Sequence, residues 1–225
     1  MKESRFSTVY GLKNSVDKLF KSIGNIATEP FTVEFQQKDK NHQLNYSPPD
    51  GIIVSENLFR QYDCLEYRCS RCCWKTRHWN IFTQEQYNKL PQVHKGFGQK
   101  IFLTINKNNR LFYVEDNTDE ICRHLENNSC GIHEENPLHC ALPLIKFKRT
   151  KRGDSEITYV TKEVYTRNWH MLCPVKFKTI NKEGYQKTLW VLGKVKDLAE
   201  ELQITTSIDK IILAVENHKK TNSNF

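Results

Sequence analysis

The residues in this chain best suited to chemistry are its eight cysteines, and their spacing is not that of casual core filler. Four lie within ten residues, as Cys64-x4-Cys69-x2-Cys72-Cys73. Three more follow as Cys122-x7-Cys130-x9-Cys140, and Cys173 stands alone further on. A lone buried cysteine behaves as a small hydrophobe. Four so close in sequence put several sulfurs around one small volume, and soft thiolates select zinc, copper(I) or iron–sulfur species over hard cations. All eight are therefore read as metal ligands.

Spacing narrows the metal only in part. The Cys69-x2-Cys72 turn is the usual half-site for tetrahedral zinc. Cys64-x4-Cys69-x2-Cys72 with a distant fourth cysteine also has the spacing of plant-type iron–sulfur proteins. The residues between, Leu65 to Arg68, are bulkier than a loop that wraps a cluster favours. Adjacent side chains in extended chain point to opposite sides, so Cys72 and Cys73 serve two metals, or one serves a cluster while the other supports it or stays outside. Eight thiolates suffice for two four-coordinate sites, or for one cluster with additional ligands. Zinc or iron is the expected ion, with a 4Fe–4S cluster as the leading iron form.

Histidines crowd the same stretches: His124, His133, His139 and His170 each lie within three residues of a cysteine. With eight thiolates present, each is read as solvent-facing or as supporting a ligand. The formal net charge is +8 with cysteines counted neutral. Eight thiolates would subtract eight charges and two divalent ions would return four, leaving about +4. The basic stripe Lys146-x-Lys148-Arg149-x-Lys151-Arg152 is accordingly read as a solvated turn, and nucleic acid as a partner is not favoured. No run approaches a membrane span and the first residues lack an apolar leader core, so no membrane partner is expected. The cytoplasm is the expected compartment, where thiols stay reduced.

The elements that must hold these residues follow from periodicity. Asn14 to Ile26 carries apolar residues at helical spacing, and Phe31 to Phe35 alternates as a strand. Asn41 to Gly51, with Pro-Pro and Asp-Gly, reads as a loop. Thr83 is an expected N-cap for a short helix to Leu90, with Gln86 completing a capping box. Ile101–Ile105 and Leu111–Val114 form an expected hairpin about Lys107-Asn108-Asn109, and Cys122 to Cys140 reads as irregular chain. Leu144–Lys148 and Ile157–Val164 are expected to pair across a basic turn. Gly184 to Gln203 and Ile208 to Val215 read as C-terminal helices. The expected class is α+β: a small cysteine-rich, metal-organised core with short antiparallel strands and C-terminal helices. Residues 1–51 form an extension, 52–180 the cysteine domain, and 181–225 a helical segment with a polar tail.

The ordered set Cys64-x4-Cys69-x2-Cys72-Cys73, Thr83-x-Glu85 and Cys122-Arg-His-Leu-x4-Cys130-Gly-Ile-His-Glu-x2-Pro137-x2-Cys140 resembles the YkgJ-type cysteine-cluster family. That family is described as a zinc- or iron-chelating domain, and flagellin N-methylase is similar to it. The resemblance covers roughly half the chain. It departs where His133 stands for a tyrosine, and where Asn136 and Ala141 stand for arginines, while the cysteines are kept. It implies metal chelation. It also raises an alternative, a metal-dependent enzyme such as a protein lysine N-methylase-like transferase, although no glycine-rich fingerprint for a methyl donor is present. A zinc-organised nucleic-acid-binding module is a further alternative. Nucleophilic cysteine catalysis ranks low, because its signature is a lone cysteine rather than a cluster.

Overall fold

In a computed structural model, the described residues are 9–37, 39–55, 58, 60–62, 79–116, 122–127, 129–132, 138, 145–159, 177–180 and 182–221. Cys64, Cys69, Cys72, Cys73, Cys140, Cys173, His133, His139 and His170 lie outside them.

The elements in chain order begin with α1 (Val9–Gly24), β1 (Phe31–Gln37), β2 (Lys40–Tyr46), β3 (Ile52–Val54), β4 (Arg60–Tyr62), β5 (Trp79–Thr83) and α2 (Gln84–Lys89). There follow β6 (Gln99–Ile105), β7 (Asn108–Asp116), β8 (Leu125–Glu126), β9 (Ser129–Cys130), β10 (Ile145–Arg149), β11 (Ser155–Tyr159), β12 (Phe177–Ile180), α3 (Lys182–Glu201) and α4 (Ile208–Thr221). The class is α+β, with mostly antiparallel sheets and two C-terminal helices. No described helix is long and apolar enough to cross a membrane. The chain divides into two compact units.

The first unit holds α1 as far as Lys21, β1, β2 and the chain from β5 to β9. Its sheet has the order β2-β1-β6-β7-β5, antiparallel throughout. On β1, Phe31, Val33 and Phe35 point inward while Glu34 and Gln36 face solvent, as a period of two requires. Leu12, Val16, Leu19 and Phe20 of α1 are buried at i, i+4, i+7 and i+8, one stripe of a helix. Phe20 anchors this stripe on the sheet, with ring centroids 6.3 Å from Phe31 and 6.4 Å from Phe112. Each such side chain removed from water contributes roughly 1.5–3 kcal/mol.

Asn41 to Tyr46 is strand rather than loop. It pairs with β1 along the full register from Phe31↔Tyr46 to Gln37↔Lys40. Only its second half carries an apolar alternation, and as an edge strand it is half exposed, so composition alone misleads. The strand stops before Pro48 and Pro49, which cannot donate to a ladder.

Half-buried Tyr46 donates its hydroxyl proton to Asp17 Oδ1 at 3.1 Å. Burial first, then the nearby Asp17 charge and this hydrogen bond, push the phenol above its ordinary 10.0. A raised native value means that the native state keeps this proton after the unfolded state has lost it. The stabilisation is full below pH 10.0 and is lost as pH rises further. Tyr46→Phe should therefore show a shallower fall of melting temperature above pH 10.0 than the parent chain. Equal slopes would rule the assignment out.

The β6–β7 hairpin is real, but its turn is Asn106-Lys107, with φ of 47° and 69°, and Ile105 pairs with Asn108. Two positive φ values define the primed turn that matches strand twist. Lysine pays for the left-handed conformation where glycine does not. Lys107→Gly is expected to stabilise the chain by about 1 kcal/mol, read as a higher urea midpoint at unchanged slope.

The second unit contains a three-stranded sheet, β10-β11-β3, in which β10 and β11 are antiparallel and β3 joins β11 in parallel. β12 pairs with β4. In α3, Leu192, Val195 and Leu198 are buried, as is Leu202 directly after it, and in α4 Ile208, Ile211 and Val215. Gln203, at φ 57°, closes α3: its N–H donates to Glu200 O at 3.0 Å and that of Ile204 to Ala199 O at 2.9 Å, the Schellman pattern. The polar Thr188 hydroxyl, buried in α3, donates to Leu58 O at 3.0 Å.

Candidate functional site

On β5 and β7, Asn80 is the cross-strand partner of Glu115 and Phe82 that of Tyr113. Since side chains alternate along a strand, these four stand on one sheet face, with Ile81 and Val114 on the other. α2, the 3-10 turn Gln92–His94 and the β8–β9 hairpin pack in this region. The capping box closes as expected: Thr83 Oγ1 accepts from Gln86 N–H and Gln86 Oε1 from Thr83 N–H, each at 3.1 Å. It fixes the start of α2 and so aims Tyr87, whose ring stacks on Tyr113 at 3.9 Å. Phe82, Tyr87, Leu90 and Ile132 then form an apolar cluster, with half-buried Cys130 packed against it.

Next to this cluster lies a polar group buried with unusual completeness. Glu115, His124 and Asn80 are each 1% exposed, and His94 is 4% exposed. Glu115 Oε2 lies 2.7 Å from His124 Nε2 and accepts from Asn80 Nδ2 at 3.3 Å. The His124 ring meets Phe82 edge-on at 6.0 Å and His94 at 5.2 Å. His94 Nε2 reaches Glu126 Oε1 at 3.3 Å, and Glu126 is half exposed. Gly131 makes this contact sterically possible, since a Cβ there would stand 2.7 Å from His94 Nε2. His124 is thus not solvent-facing.

Cys130 lies in β9 and Cys122 three residues before β8, and both are half-buried. Leu125 N–H donates to Cys122 O at 3.0 Å, forming a turn, and Leu125 pairs with Cys130 in the β8–β9 ladder. Gly131 N–H donates to His124 O at 2.8 Å. What reads in sequence as irregular chain here contains a two-residue ladder, with Cys122 and His124 ahead of its first strand and Cys130 in its second. Among the described residues, no three His, Cys, Asp or Glu side chains are grouped as a metal shell. The other six cysteines lie outside those residues.

Sequence reasoning did not single out Glu115, Asn80 or His94. Glu115 ends the apolar run Leu111–Val114, where a carboxylate reads as the strand's solvated edge. The basic stripe lies on β10 and the β10–β11 turn, in keeping with its reading as a solvated turn. Lys148, Arg149, Lys151 and Arg152 are exposed, but the Arg149 guanidinium donates to Ser47 O at 2.6 Å, Pro48 O at 2.9 Å and Gly153 O at 2.8 Å. It ties a loop to the β10–β11 turn rather than being left for phosphate.

No family model matches the chain, and no match was found among curated proteins or solved structures.

Proposed function

We propose that this chain is a metal-binding protein that chelates zinc or iron through clustered cysteine thiolates, a 4Fe–4S cluster being the leading iron form. The ligands are Cys64, Cys69, Cys72, Cys73, Cys122, Cys130, Cys140 and Cys173. The observation that supports the reading is the clustered spacing of the eight cysteines, Cys64-x4-Cys69-x2-Cys72-Cys73 followed by Cys122-x7-Cys130-x9-Cys140 and Cys173. Thiolate and imidazole donors suit zinc and iron rather than hard cations. The resemblance to the YkgJ-type family points the same way.

Bound metal would order the cysteine loops, since ligand deprotonation and folding are coupled to binding. Chelator treatment of protein purified without oxygen is therefore expected to lower the melting temperature by several degrees or more. Readdition of the same metal should restore it. Identical melting of treated and untreated protein would dismiss a structural metal.

A further inference from the structure

A strand at the margin of a sheet presents a row of backbone N–H and C=O groups with no neighbour, and folded chains blunt such margins with charge, proline or bulges. β10, at one end of the three-stranded sheet, carries Lys146, Lys148 and Arg149 within its length. β2, at the end of the five-stranded sheet, has none of these devices after its first residue. From Asn41 to Tyr46 it holds no lysine, arginine, carboxylate or proline, and its register with β1 runs unbroken. The side chains of Asn41, Gln43 and Asn45 are exposed. Which backbone groups face outward follows from β1. Thr32 donates its N–H to Asn106 Oδ1 at 3.1 Å, and its C=O accepts from Asn106 N–H at 3.2 Å, both on the β6 side. The Thr32↔Asn45 pair therefore exchanges no hydrogen bonds, and in an antiparallel ladder such pairs alternate with bonded ones. Asn41, Gln43 and Asn45 thus aim their N–H and C=O away from β1, where no backbone group of a described residue meets them.

We infer that β2 is a self-pairing edge: two copies of this chain join β2 to β2 antiparallel, about a two-fold axis at Gln43, and make one continuous sheet. The strand is complementary to itself in that register. Gln43 faces the partner's Gln43 and Asn41 the partner's Asn45. These are the residues whose backbone groups point outward, so each opposed pair can exchange both of its hydrogen bonds. Their side chains are amides, which donate and accept at once. His42 meets the partner's Leu44 on the other face, so the alternation that sets Tyr46 against Phe20 of α1 continues across the seam. At each end Lys40 lies opposite the partner's Tyr46, on the face where Tyr46 donates to Asp17. Neither Lys40 nor Asp17 forms an ion pair with another described residue, so pairing brings a cation to a carboxylate at both ends. A second copy supplies this match by symmetry, since a two-fold interface sets the same patch against itself. Pairing at β2 uses no cysteine and does not rest on the metal-binding reading.

Sedimentation of the full chain, with reductant present so that no disulfide links the copies, reads the mass directly. The expected result is a rise from 26.6 kDa to twice that mass as concentration increases. Hydrogen exchange should slow over the same range at the amides of Asn41, Gln43 and Asn45. The amides of His42, Leu44 and Tyr46, which face β1, should not change. Gln43→Pro removes an outward N–H and no bond to β1, so the hairpin is kept while the dissociation constant rises about tenfold or more. Gln43→Lys and Gln43→Glu give a second arm that needs no proline. Each alone should pair up to about fivefold more weakly than the parent, and a mixture of the two should recover pairing, because charges directly opposed across strands repel or attract by sign. A mass of one chain throughout about 1 μM to 1 mM would overturn the inference. A dimer indifferent to all three Gln43 substitutions would overturn it equally, since its contact would lie on another surface.

Discussion

Cys130→Ser should release metal far more than it loosens the fold. The substitution is nearly isosteric and Cys130 only flanks the Phe82, Tyr87, Leu90 and Ile132 cluster, so the packing cost alone is about 1 kcal/mol. A lost thiolate ligand should weaken metal binding by more than the roughly 10- to 100-fold attributable to a supporting residue. Metal content per chain and melting temperature should therefore fall together in protein purified with metal. After chelation, variant and parent should differ by no more than the packing cost. If Cys130→Ser keeps its metal and melts lower by the packing cost alone, Cys130 is a core residue and not a ligand. Cys72→Ser should also lose metal and solubility.

Glu115→Ala carries the second large effect, and it is visible without metal. The Glu115 side chain is 0% exposed and that of His124 1%. Removing the carboxylate leaves His124 Nε2 buried without its acceptor and opens a small cavity. Losses of this kind cost about 3 kcal/mol, several times a typical surface interaction. The exposed Lys89–Glu85 pair, with side chains 63% and 59% accessible, makes the comparison. Glu85→Ala should cost less than 1 kcal/mol, in line with solvent-screened i,i+4 pairs. Urea unfolding of both variants, metal-free, checks the ratio. Equal midpoints would mean that the Glu115–His124 pair is not a stabilising feature of the native chain.

What could be read from the sequence was what depends on near neighbours. The capping box at Thr83 and Gln86 spans four residues, and its hydrogen bonds form as local chemistry dictates. The apolar stripe of α3 and the alternation of β1 likewise need nothing distant. Features that depend on register were not legible. Asn80 and Glu115 are partners across 35 residues, and nothing in either neighbourhood signals the other. β2 was hidden because an edge strand needs apolar residues on one face only and borrows its pairing from β1. The Lys107 turn was misplaced by a residue because Asn106 and Asn108 both suit a turn, and only the Ile105↔Asn108 pairing decides between them. Of the candidate site, the cysteines announce themselves by type and spacing. The histidine–carboxylate support does not, because its meaning lies in a 2.7 Å contact between residues that look ordinary in line.

Elemental analysis of protein purified without oxygen, combined with its visible absorption spectrum, bears most directly on thiolate chelation. Zinc near stoichiometric amounts in a colourless protein, or iron with acid-labile sulfide and broad visible absorption, is the expected result. A protein with neither zinc nor iron, and with all eight cysteines reacting as ordinary thiols without denaturant, would contradict it.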